Sequence, residues 1–179
     1  MRKLAKLTGL AVEYRRLLMF PCFKRISRLR GNIRNKNVEI FTINSAQLPG
    51  NMVAQIKLEQ GDGIYFSAKR RRLGVALAQA LGRPIVKSGD MILDRKIVFQ
   101  ARDPDFAGKL FEYEEIRDKF DALLSNKFSR GILTIGQCSI FYHEPAGIMT
   151  KGRRKRFATA VDLLCDLFDV LYFFRHKAP

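Results

Sequence analysis

The chain has no apolar run near the roughly 18 residues that a membrane-spanning helix needs, no closely spaced pair of cysteines and only two histidines. It is also short of acidic residues, with 17 Asp and Glu against 33 Lys and Arg in 179 residues. Each shortage excludes something. Without a long apolar run, no transmembrane helix is expected. Cys22, Cys138 and Cys165 are odd in number and far apart, which argues against a disulfide framework or a zinc site and for free thiols in a reducing compartment. The acid deficit leaves a net charge of +16 and a pI near 10.2, so a macromolecular partner should be anionic: nucleic acid, an acidic lipid surface or an acidic protein.

The remaining composition is that of a folded chain, with ordinary apolar and charged fractions and enough length for one domain with a sizeable core. Charge is unevenly placed. Residues 1–36 hold eleven Lys or Arg and one acid, Glu13. Arg2, Lys3 and Lys6 precede a short apolar stretch that Glu13, Arg15 and Arg16 interrupt, so the segment reads as mature sequence rather than a leader. Leu4, Leu7, Ala11, Tyr14 and Leu18 recur at helical spacing, predicting a basic amphipathic helix that ends before Pro21. A basic helical arm over 1–36 and a body over 37–179 is the expected organisation.

From Val38 the period becomes two. Strands are expected at 38–43 and 52–58, the second with Met52, Ala54, Ile56 and Leu58 inward, and at 64–68 after the Gly61-Asp62-Gly63 turn, as a meander of neighbours. That turn lacks the Lys-Ser or Lys-Thr and the following helix of a phosphate loop, and the chain contains no GxGxxG. A short helix is expected at 73–81, a brief strand at 85–87 and a turn at Ser88-Gly89-Asp90. Ile97, Phe99 and Ala101 alternate with Lys96, Val98, Gln100 and Arg102 as a strand with one face buried and the other mixed, and Asp103-Pro104 starts a helix: the carboxylate accepts from first-turn amides, and proline at the first position has no amide to leave unpaired. That helix is expected over 104–124. A hairpin over 131–143 and a closing helix over 153–174 follow, the latter with Asp162, Asp166 and Asp169 on one face, either solvated, which is the favoured reading, or an internal partner for one of the basic runs. The fold class is therefore α+β, a mainly antiparallel sheet with the two principal helices packed on one face and the basic N-terminal helical arm.

Candidate chemistry is sparse. His143 and Cys138 lie on opposite sides of a pleat, and Asp90, Asp94, Asp103 and Asp105 suit turns and caps better than a paired acid and base site. No catalytic, cofactor or metal residue is assigned. Tyr65 and Phe66 beside Lys69 to Arg72 are the nearest approach to an aromatic and basic nucleic-acid face, and no recognition-helix pair, zinc finger or RRM motif accompanies them.

Two segments, LRGNIRNKNVEIF at 29–41 and SGDMILDRKIVFQARDPDFAGKLF at 88–111, resemble a group of uncharacterised bacterial proteins. The shared features are Gly89-Asp90, Asp94-Arg95, the strand that follows, and the helix start Asp103-Pro-Asp-Phe106-Ala107. The resemblance spans residues 10–172 and departs at Leu93, where an aromatic is more usual, and at Asn35, where glycine is. It implies an α+β domain, often attached to membrane or envelope segments, and transfers no catalytic residue. The functional expectation is a non-enzymatic interaction domain, cytoplasmic or peripheral to the membrane, that docks on acidic lipid or acidic protein. The docking residues would be Arg15, Arg16, Lys24, Arg25, Arg28, Arg30, Arg34, Lys69, Arg70, Arg71, Arg72, Lys151, Arg153, Arg154, Lys155 and Arg156. A non-specific nucleic-acid binder is the alternative, and an enzyme using the 90–105 carboxylates a second.

Overall fold

A computed structural model describes residues 1–19, 22–43, 50–58, 63–71, 85–126, 129–145 and 149–177, with backbone alone at 14–19, 22–27 and 175–177. The expected helix at 73–81 and Arg72 lie outside these residues. Among those described, nine strands form one sheet and five helices accompany it, so the fold is α+β.

The N-terminal segment departs from expectation. Helix α1 (Arg2–Thr8) buries Leu4 and ends at Gly9, whose φ of 70° is the left-handed cap that glycine adopts without steric cost. Beyond it the chain forms β1 (Ala11–Met19) and β2 (Cys22–Ile33), a long antiparallel hairpin from Ala11↔Arg30 to Met19↔Cys22. Apolar residues at helical spacing over so short a run also fit a strand, and cross-strand pairing decides between them. The helical arm is thus reduced to seven residues, and β2 passes directly into the sheet. Arg34 and Asn35, at φ 49° and 61°, form the two-residue turn to β3 (Lys36–Ile43).

β3 pairs with β4 (Asn51–Lys57), and Met52, Ala54, Ile56 and Leu58 enter the core as the alternation predicts. The next strand in sequence does not pair with it. β5 (Phe66–Arg70) lies three places away, because the late hairpin of β8 (Ile132–Ile135) and β9 (Ser139–Pro145) inserts between them. With β6 (Ile85–Val86) and β7 (Ile97–Ala101) the order is β1-β2-β3-β4-β9-β8-β5-β7-β6, antiparallel at every pair. The expected meander of 38–68 is corrected accordingly.

The expected turn at Asp90 is a helix start. Asp90 accepts from the amides of Ile92 and Leu93 at 2.8 and 3.1 Å and opens α2 (Met91–Lys96), of which only Leu93 is buried. Asp103 caps α3 (Pro104–Leu110) through the amides of Asp105 and Phe106, as the Asp-Pro pair predicts. The expected single helix over 104–124 is broken at Phe111 to Tyr113, and α4 (Glu114–Leu124) follows. Phe111 and Phe120 supply the reason. Nine residues at about 100° each would face them in opposite directions on a straight helix. The break lets both pack against Phe99, at ring-centroid distances of 4.6 and 5.4 Å.

Helix α5 (Lys151–Lys177) packs on β4, β9, α1 and α4. Its acidic residues are ion-paired rather than a purely solvated face, although Asp162 and Asp169 keep much of their exposure. Asp162 and Asp166 both pair with Arg34 and Lys119, and Asp169 pairs with Lys36 at 2.8 Å. Three cations from the β2–β3 turn and α4 are thereby fastened to α5. The hydrogen bond that Arg34 donates to Asp166 does most to raise the Arg34 pKa. At Lys119 burial pulls downward, but hydrogen bonds to Asp162 and Asp166 outweigh it and the pKa rises.

Candidate functional site

The strand registers determine where the basic segments end up. β5 and β9 are both antiparallel to β8 and so run parallel to each other, which brings the end of β5 (Lys69, Arg70, Arg71) and the chain leaving β9 towards Lys151 to the same end of the sheet. β3 is antiparallel to β4 and β4 to β9, so the low-numbered part of β2 points the same way. The β1–β2 tip, with the backbone positions of Arg15, Arg16, Lys24 and Arg25, projects at that end too. At about 4.8 Å per strand, β2 to β7 spans roughly 29 Å. The basic segments therefore form one rim. Arg34, on the turn between β2 and β3, lies at the opposite end.

Their electrostatic states differ. Arg28 and Arg30 reach Glu39 at 3.8 and 3.2 Å, and Arg28 also lies over the Phe41 ring at 4.9 Å. Arg34 is held by Asp162 and Asp166. Arg153 and Arg156 converge on Glu144, at 2.7 and 3.1 Å. That carboxylate is 1% exposed and also accepts from the Tyr142 hydroxyl at 3.3 Å. Five of the first six residues' side-chain positions in α5 being Lys or Arg would oppose the helix dipole, and the buried Glu144 offsets part of that charge. Burial, reinforced by the Glu144 charge, pushes the Tyr142 pKa up.

Lys69, Arg70, Arg71, Lys151, Arg154 and Lys155 form no ion pair among the described residues. Arg70 donates to the Asn126 carbonyl, Arg71 to that of Asp94 and Arg154 to that of Met149. Such bonds orient the guanidinium groups and leave their charge uncompensated.

Beside Arg71 the rim becomes concave. Arg71, Lys87, Gly89, Met91, Asp94 and Arg95 line a cavity of about 490 Å³. Asp94 is occupied within it, since its Oδ1 accepts from the Ser88 amide and hydroxyl, both at 2.9 Å. Lys87, Met91, Ile92 and Arg95 were not singled out by charge runs. The available signal was in α2 itself: MILDRK following an Asp cap has three apolar residues, of which a helix this short buries one.

The residues considered for catalysis do not converge. Asp90 and Asp94 lie at one end of β7 and Asp103 and Asp105 at the other, five strand residues or roughly 17 Å apart. His143 sits on β9 opposite Val53 and Ile132, with Nδ1 buried and without a partner among the described residues. Burial lowers its pKa. Cys138 is exposed and Cys165 buried, its thiol pushed up to about 11 by burial.

The sequence matches no protein-family model and no curated protein. In three dimensions it is similar to the crystal structure of the mycobacterial trehalose monomycolate transport factor A, TtfA, with a TM-score of 0.53 over 95% of this chain and 91% of that one. At 16% identity the likeness is one of fold.

Proposed function

We propose that this chain is a non-enzymatic docking domain that holds to an anionic lipid surface through its basic rim. The observation that carries the reading is the gathering of Lys69 to Arg71 and Lys151 to Lys155, with the β1–β2 tip, at one end of the sheet, while the cations at the other end are neutralised by α5. In this reading the helices of 104–124 and 153–174 brace one face of the sheet and leave the rim to its partner. About 1 kcal/mol per basic residue near an acidic surface makes four simultaneous contacts worth roughly a thousandfold in partitioning. The fold shared with a factor named for the transport of trehalose monomycolate supports a transport-related docking role. Among the described residues no helix is long and apolar enough to cross a membrane, so attachment through these residues would be peripheral.

Sedimentation with vesicles tests the proposal. The intact chain should pellet with phosphatidylcholine vesicles containing phosphatidylglycerol at physiological salt and remain in the supernatant with phosphatidylcholine alone. Absence of binding to the acidic vesicles, or tighter binding to DNA or RNA in a gel-shift titration at the same salt, overturns it.

A further inference from the structure

One part of the rim has more than charge. Met91 and Ile92, the first two residues of α2, are 68% and 65% exposed, whereas Leu93 anchors the helix in the core. Burying two adjacent large apolar side chains would be favourable, yet α2 presents both to solvent. Met91 lines the basic cavity together with Arg71, Lys87 and Arg95, and Ile92 is its exposed neighbour in the chain. Lys87 and Arg95 form no ion pair among the described residues, and Arg95 instead directs Nη2 at the Met91 sulfur, at 3.5 Å. The cavity has three cations against one carboxylate, and that carboxylate already accepts from Ser88.

We infer that this corner is the membrane-inserting point of the domain: Met91 and Ile92 enter the interfacial layer of an anionic bilayer, and Arg71, Lys87 and Arg95 receive the phosphate of a phospholipid headgroup. The inference rests on the docking function proposed above and adds its point of entry and ligand class. An exposed apolar pair at the edge of a cationic cavity is complementary to a surface with anionic headgroups above hydrocarbon. A nucleic-acid backbone would use the cations and offer no hydrocarbon to the apolar pair. A cavity of about 490 Å³ has room for a whole headgroup, and Met91 in its lining sets an apolar side chain beside the cations that would hold the phosphate.

The chain contains no tryptophan, so Ile92→Trp provides a single emission probe at an exposed position. With vesicles of phosphatidylcholine and phosphatidylglycerol its emission should shift to the blue and be quenched by lipids brominated on the acyl chain. Met91→Ser/Ile92→Ser should weaken sedimentation with these vesicles by about tenfold or more, and Lys87→Gln/Arg95→Gln by a similar factor. Soluble glycerol 3-phosphate and inorganic phosphate, each alone, should neither shift the emission nor displace the vesicles at equal phosphate concentration. If the wild type fails to bind acidic vesicles, the docking function itself is lost. If it binds and both double variants bind equally well, or if Ile92→Trp binds without a shift, the docking function stands and this corner is not its point of entry. Displacement by free phosphate would make the cavity a phosphate site and overturn the lipid assignment.

Discussion

Replacing Glu144 with glutamine probes the most deeply buried charge at the rim. The side chain is almost fully enclosed, and its two oxygens receive Arg153, Arg156 and Tyr142. Glutamine keeps the volume and one acceptor oxygen, so no cavity contributes. What is lost is the counter-charge to two guanidinium groups at a helix start whose dipole already disfavours them. Removing one partner of a buried ion pair costs about 3–5 kcal/mol. Here the arginine side chains retain 13% and 21% exposure, so solvent reduces the loss to about 2–4 kcal/mol. For a chain of this length that corresponds to a fall in Tm of about 4–16 °C, measurable by circular dichroism. In an Arg153→Met/Arg156→Met background the sign should reverse, because Glu144 would then be a buried carboxylate without cations and its neutralisation would stabilise. A loss below about 0.5 kcal/mol in the wild-type background, or an equal loss in both, would refute the reasoning.

Gly131→Ala should destabilise by about 2–3 kcal/mol in denaturant unfolding, since an added Cβ would lie 2.2 Å from the Tyr142 hydroxyl oxygen, with the ring buried behind it. His143, whose pKa burial lowers, binds protons more readily when unfolded, so the fold loses stability as pH falls from about 6.5 towards the folded value. His143→Gln should remove that part of the acid slope in urea titrations from pH 7 to 5, and an unchanged slope would rule the histidine out as its source. Among the described thiols, Cys138 should be alkylated in the native protein at neutral pH while Cys165 reacts only on unfolding, as peptide mapping by mass spectrometry would read.

Features set within a few residues of chain were legible from the sequence. Asp103-Pro104 caps its helix, Met52 to Leu58 alternate inward, and α5 is where its apolar stripe places it. Features set by pairing at a distance were not. Nothing local distinguishes Ala11 to Met19 as a strand from a helix until β2 lies beside it, and nothing near Lys57 announces that Ser139 is its partner. The helix break at Phe111 required knowing that Phe111 and Phe120 share one target, Phe99. For the rim, the basic runs were visible as composition, but their convergence followed only from strand order. The acidic stripe of α5 was visible and its partners were not, because Arg34 and Lys36 reach it from the far end of the sheet through a turn of positive φ.

The position of β9 has a consequence for how the chain assembles. Asn51 to Lys57 take their second set of backbone partners from Pro145 to Ser139, so the edge of β4 stays open while the intervening segment is synthesised. Until the late hairpin docks, β1 to β4 and β5 to β7 are two half-sheets with unpaired edges, each a template for another chain. The hairpin joins both halves, β9 pairing with β4 and β8 with β5, and β9 carries Tyr142 and Glu144 to their buried partners. The strand that closes the sheet thus also carries Glu144, the counter-charge to the first turn of α5, and a chain truncated before residue 139 would present the open edge of β4 rather than a smaller version of the fold.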